Sequence, residues 1–398
     1  MATAASTNET RAADLIAAAR AMAPVVAGRA ARCEELRRLP PETEQDFRDA
    51  GFYRVLQPAR YGGMELDYGI QTELAMEVAR GCAASGWNLS VVACHGWILG
   101  MFPGEAQEDI WGARPDATIS SSFLPLGAPT IERGKGGYRI KGRWGFSSGS
   151  DYCQAAILMG AVDRRGAEGR EPAFLLLPRD DYAVEDTWRA TGLAGTGSND
   201  LVVDDAFVPD HRILRIGETR GGPTPGSAVN PGHIYRLPLY AIFPFNLIGA
   251  AIGAARGALD TVAAGLAARN PTTQVSLSEQ QSVQLRIAQV AAQVEVAWNA
   301  LQPVREEVNR QAREGIVPDL LTRSRYRLIL GQAGKLCVSA MDDLFPLLGG
   351  RGLAAGNPVQ RAWRDVHAVA QHIGLTWDVQ AGFYGAVKLG QPCPDPKL

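Results

Sequence analysis

The sequence lacks paired cysteines, a strong net charge and long uncharged hydrophobic runs. Its six cysteines are scattered singly without Cys-x-x-Cys spacing, which argues against a structural zinc site or a disulfide framework, and we predict no metal site. Lysine and arginine number 40 against 42 aspartates and glutamates, and the formal net charge of −2 offers no basic field for nucleic acid or anionic lipid. No run of about eighteen uncharged apolar residues predicts a membrane span. These absences predict a cytoplasmic protein with reduced thiols.

Hydrophobic residues make up 46% of the 398 residues, which is enough for a large core in two or three domains. Helical periodicity extends to about residue 111, short β-branched runs follow over 116–216, and helical periodicity returns from residue 237. The long C-terminal helices are expected at 240–268, 278–314, 320–348 and 358–389. We therefore predict an α+β fold with an N-terminal helical domain (1–115), a β-barrel or β-sandwich domain (116–230) and a C-terminal four-helix bundle (231–398).

Two short segments rich in glycine and hydroxyl side chains stand at the ends of strand-like runs. The first is Trp144-Gly145-Phe146-Ser147-Ser148-Gly149, and the second is Gly195-Thr196-Gly197-Ser198-Asn199-Asp200. Glycine and short polar side chains allow backbone N–H groups to approach a flat polar ring closely. Ordinary β-turns have the same composition. The pair of segments, rather than either one alone, therefore predicts a cofactor platform.

The order of the domains and three motifs resemble the acyl-CoA dehydrogenase superfamily over nearly the whole chain. The three motifs are Tyr61-Gly62-Gly63, Trp144 to Gly149 and Leu348-Gly349-Gly350. The closer resemblance is to the oxygenase components of two-component, reduced-flavin-dependent monooxygenases, which hydroxylate phenols, including phenolic steroid intermediates. The segments that carry this resemblance are residues 56–63, Cys94-His95-Gly96-Trp97, Ser120-Ser121-Ser122, Phe146-Ser147-Ser148-Gly149, Trp363-Arg364-Asp365, His372 and Trp377-Asp378.

One departure from the dehydrogenase pattern bears on the activity. Many acyl-CoA dehydrogenases have a catalytic glutamate in a late Tyr-Glu pair, and counting on from Arg364-Asp365 puts His372-Ile373 at that position. Removal of the α-proton of a thioester needs a strong base, for which a neutral imidazole is less suitable. The resemblance therefore favours a monooxygenase. Three alternatives stay open: N-oxidation of an amine such as an amino sugar, an acyl-CoA dehydrogenase or oxidase with its base elsewhere, and a non-catalytic flavin-binding or scaffold protein.

The resemblance implies reduced FMN or FAD as the cofactor and O2 as co-substrate, which together form a flavin C4a-hydroperoxide that hydroxylates an aromatic substrate. Ser147 aligns with the flavin-facing threonine of the dehydrogenases and is expected to contact flavin N5; Ser148 takes this place if the register differs by one. The expected flavin site also includes Trp144, Gly197, Ser198 and, near the flavin phosphate, Arg269.

Two histidines are expected to be catalytic beside Ser147. We expect His372 on an apolar helix, where it accepts the phenol proton, because a histidine with a pKa near ~6.5 is able to take or polarise it. His95 lies in an apolar helical run, where its ring needs a hydrogen-bond partner, and the resemblance places its counterpart at the active site. A structural role fits His95 as well. We expect Asp365 on the same helix face as His372, where it orients neighbouring groups.

A partner protein follows from a missing motif. The segment 350–355 fits Gly-x-Gly-x-x-Ala, but it follows a helical run and not a strand, so it is not a nicotinamide-binding fingerprint. The resemblance therefore implies a separate NAD(P)H:flavin reductase that supplies reduced flavin. It also implies a homotetramer, because the family buries its long helices between subunits.

Overall fold

Helices fill the chain up to Trp111 in this computed structural model, which describes residues 2–268 and 276–398. They are α1 (Ala2–Leu36), α2 (Pro41–Asp49), α3 (Ile70–Ala79), α4 (Ala83–Leu99) and α5 (Gly104–Trp111). Every residue of α4 is buried, because the helix lies between other helices and the first β-strand. The polar side chains of α4 therefore face protein rather than solvent.

Strands occupy the middle of the chain and form two sheets. The strands are β1 (Ile119–Ser122), β2 (Leu124–Pro125), β3 (Thr130–Gly134), β4 (Gly137–Ser147), β5 (Ala155–Asp163), β6 (Arg170–Pro178), β7 (Ala183–Glu185), β8 (Asn199–Pro209) and β9 (Ile213–Arg215). One sheet has the order β1-β5-β6-β9, and the other has β2-β4-β8-β7 with β3 beside β4. Their facing side chains form one hydrophobic cluster, so the β region is a sandwich.

Helices return after the sandwich. They are α6 (Leu239–Ile242), α7 (Phe245–Ala267), α8 (Gln281–Asn299), α9 (Leu301–Glu314), α10 (Leu320–Leu344), α11 (Pro358–Ala370) and α12 (Trp377–Lys388). The bundle is formed by α7, α8, α10 and the α11–α12 pair, and α3 and α4 pack against α7. One hydrophobic core therefore joins the N-terminal helices to the bundle.

Three of the predicted long helices are each broken into two. The helix predicted over 240–268 is interrupted at residues 243–244, between α6 and α7. The helix predicted over 278–314 is interrupted at residue 300, because Pro303 has no N–H to donate and its ring clashes with the carbonyl of Asn299. The helix predicted over 358–389 ends at Ala370 and resumes at Trp377. His372 therefore lies in a turn, and the prediction that it shares a helix face with Asp365 is wrong.

One described stretch, Leu239–Ala267, is long and apolar enough to cross a membrane by length and composition. In its most apolar window, 83% of the residues are buried inside the molecule. Burial against α3, α4 and α10 accounts for this apolar composition.

Candidate active site

The serine-rich ends of β4 and β8 lie next to the start of α4. Strand pairing puts Ser147 opposite Asn199, with a register shift just before Ser147. Phe146 in this irregularity has a φ of 64°, and Gly149 has a φ of 70°, a conformation that favours glycine. A Cβ atom at Gly149 would lie 3.2 Å from Val92 and 3.4 Å from the Asn88 side chain. The turn therefore lies directly against α4.

A row of hydroxyl groups runs from α4 across the two serine segments. The indole Nε1–H of Trp87 donates to Ser148 Oγ over 3.0 Å, and Ser148 Oγ lies 2.7 Å from Ser198 Oγ. Ser198 Oγ lies 2.7 Å from Thr196 Oγ1, which donates to the Leu193 carbonyl over 2.8 Å. The carbonyl only accepts and the indole only donates, so each hydroxyl donates in the direction of Leu193. Ser148 thus keeps a free lone pair and no free proton.

Buried polar atoms without partners adjoin this row. Within the described ranges 2–268 and 276–398, the Ser147 hydroxyl and both polar atoms of the Asn88 amide have no hydrogen-bond partner. Ser147 is 0% exposed and Asn88 is 1% exposed. Buried polar groups are almost always paired in native proteins, so these atoms indicate a polar ligand. A flavin ring, whose edge carries both N–H groups and carbonyls, fits the donors and acceptors present.

His95 is buried and bonded on both sides of its ring. Its Nδ1 lies 2.9 Å from the Ile119 carbonyl and its Nε2 lies 2.7 Å from Ser121 Oγ. Because a carbonyl only accepts, Nδ1 carries the proton and Nε2 accepts the Ser121 hydroxyl. Burial lowers the His95 pKa to about 4, against a weaker opposing effect of the bond to Ile119. His95 is therefore neutral at physiological pH, with its accepting nitrogen on Ser121.

His372 lies beside Trp87 in the turn between α11 and α12. The two ring centroids are 5.9 Å apart, and Trp87 thus connects His372 to the hydroxyl row. The Gly374 amide donates to His372 Nδ1 over 3.0 Å, so Nε2 carries the proton of the neutral ring. Burial, with a further effect of the Arg327 cation, lowers the His372 pKa to about 4. This tautomer offers a hydrogen-bond donor at Nε2, whereas the sequence suggested a proton acceptor.

An aromatic cluster adjoins His372. Phe123 directly follows β1, and its ring centroid lies 4.8 Å from that of Phe174 and 5.4 Å from that of Phe243. The Phe243 ring lies 6.4 Å from the His372 ring, and Tyr240 stacks on Phe174 at 6.2 Å. The surroundings of His372 are therefore aromatic and apolar, with few charges to match an amino sugar.

The remaining predicted residues have other surroundings. The Trp144 ring is fully buried in the sandwich core, with its indole N–H on the Met159 carbonyl, so only its backbone is left for a flavin contact. A Cβ atom at Gly197 would lie 2.6 Å from Asp151, and this glycine therefore permits close packing of its loop. Asp365 accepts the Leu193 amide over 2.6 Å. Arg269 lies outside the described residues.

Sequence reasoning missed three contributors. Trp87 and Asn88 had no motif to distinguish them from other residues of an apolar helix, and their role depends on tertiary contacts with Ser148 and Gly149. Thr196 was visible in the second glycine-rich segment, but its place at the end of the hydroxyl row was not. Among the described residues, no group of three or more His, Cys, Asp or Glu side chains is arranged to hold a metal ion.

Family models match both helical parts of the chain. Residues 10–114 match the acyl-CoA dehydrogenase N-terminal domain, and residues 247–377 match the acyl-CoA dehydrogenase C-terminal domain. Together with the helix–sandwich–helix order, these matches define the class: a protein of the acyl-CoA dehydrogenase fold.

Individual relatives narrow the class. The FADH(2)-dependent resorcinol hydroxylase, oxygenase component, of Rhizobium sp. (strain MTP-10005) is 36% identical over 375 residues, which cover 91% of this chain and 90% of that protein. The crystal structure of 3-HSA hydroxylase from Rhodococcus sp. RHA1 has a TM-score of 0.90 at 32% identity, covering 96% of this chain and 98% of that one. XiaF from Streptomyces sp., in complex with FADH2 and glycerol, has a TM-score of 0.90 at 26% identity, covering 99% of both chains.

The chain belongs to the oxygenase components of the flavin-dependent monooxygenases. The predicted fold class, family and enzyme class are thereby confirmed. The named relatives are monooxygenases and hydroxylases, which favours this activity over the dehydrogenase alternative.

Proposed function

We propose that this chain uses reduced flavin and O2 to hydroxylate a phenolic substrate. The observation that carries this proposal is the buried pair of His95 Nε2 and Ser121 Oγ, 2.7 Å apart, because it is a neutral acceptor for a phenol hydroxyl. The aromatic cluster supports a flat apolar ring as substrate and disfavours the amino-sugar alternative. Resorcinol and p-hydroxyphenylacetate, named for two relatives, are suitable first substrates.

Reduced flavin, when bound, supplies an electrophilic oxygen atom from O2. Ser147, Ser148 and Asn88 are the residues that would hold its ring: Ser148 with the lone pair left free by the hydroxyl row, and the other two with their unpaired polar atoms. The Trp87 indole and the sandwich wall exclude water from these groups. FMN and FAD share the ring, and we propose either as the cofactor.

The two histidines act on the substrate in different ways. A phenol has a pKa near ~10, so an imidazole with a pKa of about 4 does not remove its proton in the ground state. Instead, the His95–Ser121 pair accepts a hydrogen bond from the phenol hydroxyl. It takes up part of the positive charge of that proton as the ring carbon reacts. The Nε2–H of His372 is a donor suited to an oxygen atom that gains negative charge.

Reduced flavin is to be mixed with oxygenated buffer, protein and each phenol, and catechol-type product and hydrogen peroxide measured per flavin oxidised. We expect product to replace peroxide when a substrate fits. Ser121→Ala and His95→Gln should each lower the product yield by about tenfold or more. Ser90→Ala, at a buried serine of α4, is the matched control. Equal product yields in all four proteins, or direct reduction of oxidised flavin by an acyl-CoA, would contradict the proposal.

We also propose a reductase partner, a cytoplasmic location and a homotetramer. A separate NAD(P)H:flavin reductase supplies the reduced flavin, as the two-component organisation of the relatives implies. Free cysteines support a reducing, cytoplasmic location. Apolar side chains exposed on α8 support a homotetramer in which the bundle helices meet.

A further inference from the structure

A second buried cluster lies behind the hydroxyl row, and none of its side chains takes part in the oxygen chemistry proposed above. It surrounds a cavity of about 10 Å³, the space of roughly one water molecule. Cys33, Cys82, Asp365 and the backbone of Gly195 are among the groups that line it. Gly195 is the neighbour of Thr196 in the hydroxyl row. The cavity therefore adjoins one end of the hydroxyl row.

The two cysteines belong to different helices that meet at this cavity. Cys33 is near the end of α1, and its Sγ lies 3.5 Å from the Gly195 carbonyl. Cys82 is the N-cap residue of α4, the helix that carries Trp87 and His95. Both thiol groups line the same small cavity. A bond between them would therefore tie α1 to the first turn of the active-site helix.

The surroundings of the two sulfur atoms differ. The neighbouring Cys33 thiol, followed by Ser85 and the Arg361 cation, lowers the Cys82 pKa against the opposing effect of burial. The neighbouring Cys82 thiol and burial raise the Cys33 pKa. The start of a helix also favours a thiolate. By contrast, burial raises the pKa of Cys153 and of Cys337 to about 12.

Asp365 is a buried carboxyl group that lines the same cavity. It is 4% exposed, and burial raises its pKa to about 7, against the opposing bond from the Leu193 amide. A carboxyl group that is partly protonated near neutral pH is suited to give a proton to a leaving hydroxide. The cavity thus brings two thiol groups and one buried carboxyl group together.

We propose that Cys33 and Cys82 are a thiol pair that hydrogen peroxide oxidises to a disulfide. The Cys82 thiolate attacks one peroxide oxygen, the O–O bond breaks, and the departing hydroxide takes the Asp365 proton to leave as water. The Cys33 sulfur then attacks the Cys82 sulfenic acid; its own proton leaves with the hydroxyl group as a second water. Two thiol sulfurs are oxidised by two electrons in total, and one peroxide is reduced to two waters.

Peroxide forms when reduced flavin and O2 react without a substrate, so the oxidant accompanies the family activity. The chemistry does not depend on the proposed phenol substrate, and added hydrogen peroxide is sufficient to test it. Failure of the phenol proposal and failure of this one are thus distinguishable.

The full chain without flavin is to be treated with hydrogen peroxide near one equivalent, unfolded, alkylated and digested for mass spectrometry. We expect two of the six free thiols to be lost and the Cys33 and Cys82 peptides to be linked. Cys33→Ser should leave Cys82 as a sulfenic acid that dimedone labels, and Cys82→Ser should give neither product. Asp365→Asn should slow the oxidation by about tenfold.

Cys337→Ser is the matched control, because this thiol is also buried but lies in the bundle, and it should behave as the wild type. Circular dichroism is to show that each variant is folded. Six intact thiols after peroxide treatment of the folded protein would overturn the proposal. Dimedone labelling of Cys337 at the rate of Cys82 in the Cys33→Ser variant would overturn it as well.

Discussion

Trp87 shows how one side chain connects the two halves of the site. Its indole N–H starts the hydroxyl row at Ser148, and its ring lies 5.9 Å from that of His372. The Leu193 carbonyl at the far end of the row fixes the direction of the hydroxyl protons, and the indole donates to one of the two lone pairs of Ser148. Without this donor, both lone pairs of Ser148 have no protein partner, and its hydroxyl is held only by the bond to Ser198. Trp87 therefore limits the acceptor capacity that Ser148 offers to a ligand.

Trp87→Phe removes the N–H and keeps most of the ring. We expect reduced-flavin oxidation to continue, with the product yield falling by about tenfold and hydrogen peroxide rising to match, since a buried hydrogen bond contributes about 1–2 kcal/mol. Peroxide and product are measured per flavin oxidised. Trp111→Phe is the control, because it also removes a buried indole bond, to the Ala117 carbonyl. Equal product yields in the two variants would contradict the role of Trp87.

Protonation of His95 makes the stability of the folded chain depend on pH. The unfolded chain takes up this proton near pH ~6.5, whereas the folded chain takes it up only near pH 4. Stability from the neutral ring is therefore complete above pH ~6.5 and is lost as the pH falls toward 4. Between about pH 7 and about pH 5 the loss of folding free energy from this group amounts to about 2 kcal/mol.

His95→Gln keeps a donor and an acceptor but has no such titration. We expect its urea midpoint to fall less between about pH 7 and about pH 5 than that of the wild type. His211→Gln, a change at a half-exposed surface histidine paired with Asp109, should follow the wild type. The explanation is wrong if His95→Gln loses stability as steeply as the wild type.

At this scale the sequence indicated which side chains the fold brings together better than it indicated which protons they carry. Ser148, Ser198 and His95 follow from motifs, because hydroxyl and imidazole groups in apolar or glycine-rich segments need partners. The donor role of His372 did not follow, since its tautomer depends on the Gly374 amide in a turn that periodicity read as helix. The positions of these protons depend on single tertiary contacts, which no sequence pattern encodes.

At the scale of elements, the helical spacing of hydrophobic residues located the helices but not their ends. Residues 278–314 keep the helical period through Pro303, because apolar side chains pack on the same core before and after the break. The β region was located as a whole, since its short β-branched runs contrast with the helical spacing on both sides. The element ends matter for function, because His372 and Ser148 both lie just beyond one.

The loop between β7 and β8 depends on one glycine. Gly197 has a φ of 55°, and a Cβ atom there would lie 2.6 Å from Asp151, which an ion pair with Arg38 holds in place. Gly197→Ala should therefore destabilise the protein by about 2–3 kcal/mol, from backbone strain and from the clash. It should also displace Ser198 and lower the product yield.

Gly136→Ala separates these two effects. Gly136 has a φ of 77°, but no atom lies within 4 Å of its added Cβ, so strain alone should cost about 1 kcal/mol. Urea unfolding of the two variants measures the difference. A loss in Gly197→Ala no larger than in Gly136→Ala would show that the contact with Asp151 relaxes.

At the scale of the whole molecule, the site lies where the two hydrophobic cores meet. The N-terminal helices and the bundle share one core, and the sandwich has another. The hydroxyl row comes from the sandwich, Trp87 and His95 come from α4, and His372 comes from the bundle. Composition and period predicted the three parts in order. Their docking could not be predicted, because it depends on side-chain shape across surfaces far apart in sequence.

An exposed apolar stripe on α8 bears on assembly. Leu285 and Val296 of α8 are 63% and 57% exposed, and a spacing of about three turns places both on one stripe of the helix. If the bundle helices meet between subunits, the double change Leu285→Glu and Val296→Glu buries charge at the interface and should dissociate the tetramer. Sedimentation velocity at micromolar concentration measures the mass. Phe207→Glu, at a 42% exposed position on β8, should leave the mass unchanged. A wild type that sediments as a monomer, or a double variant that stays tetrameric, would show that this face of α8 does not hold the subunits together.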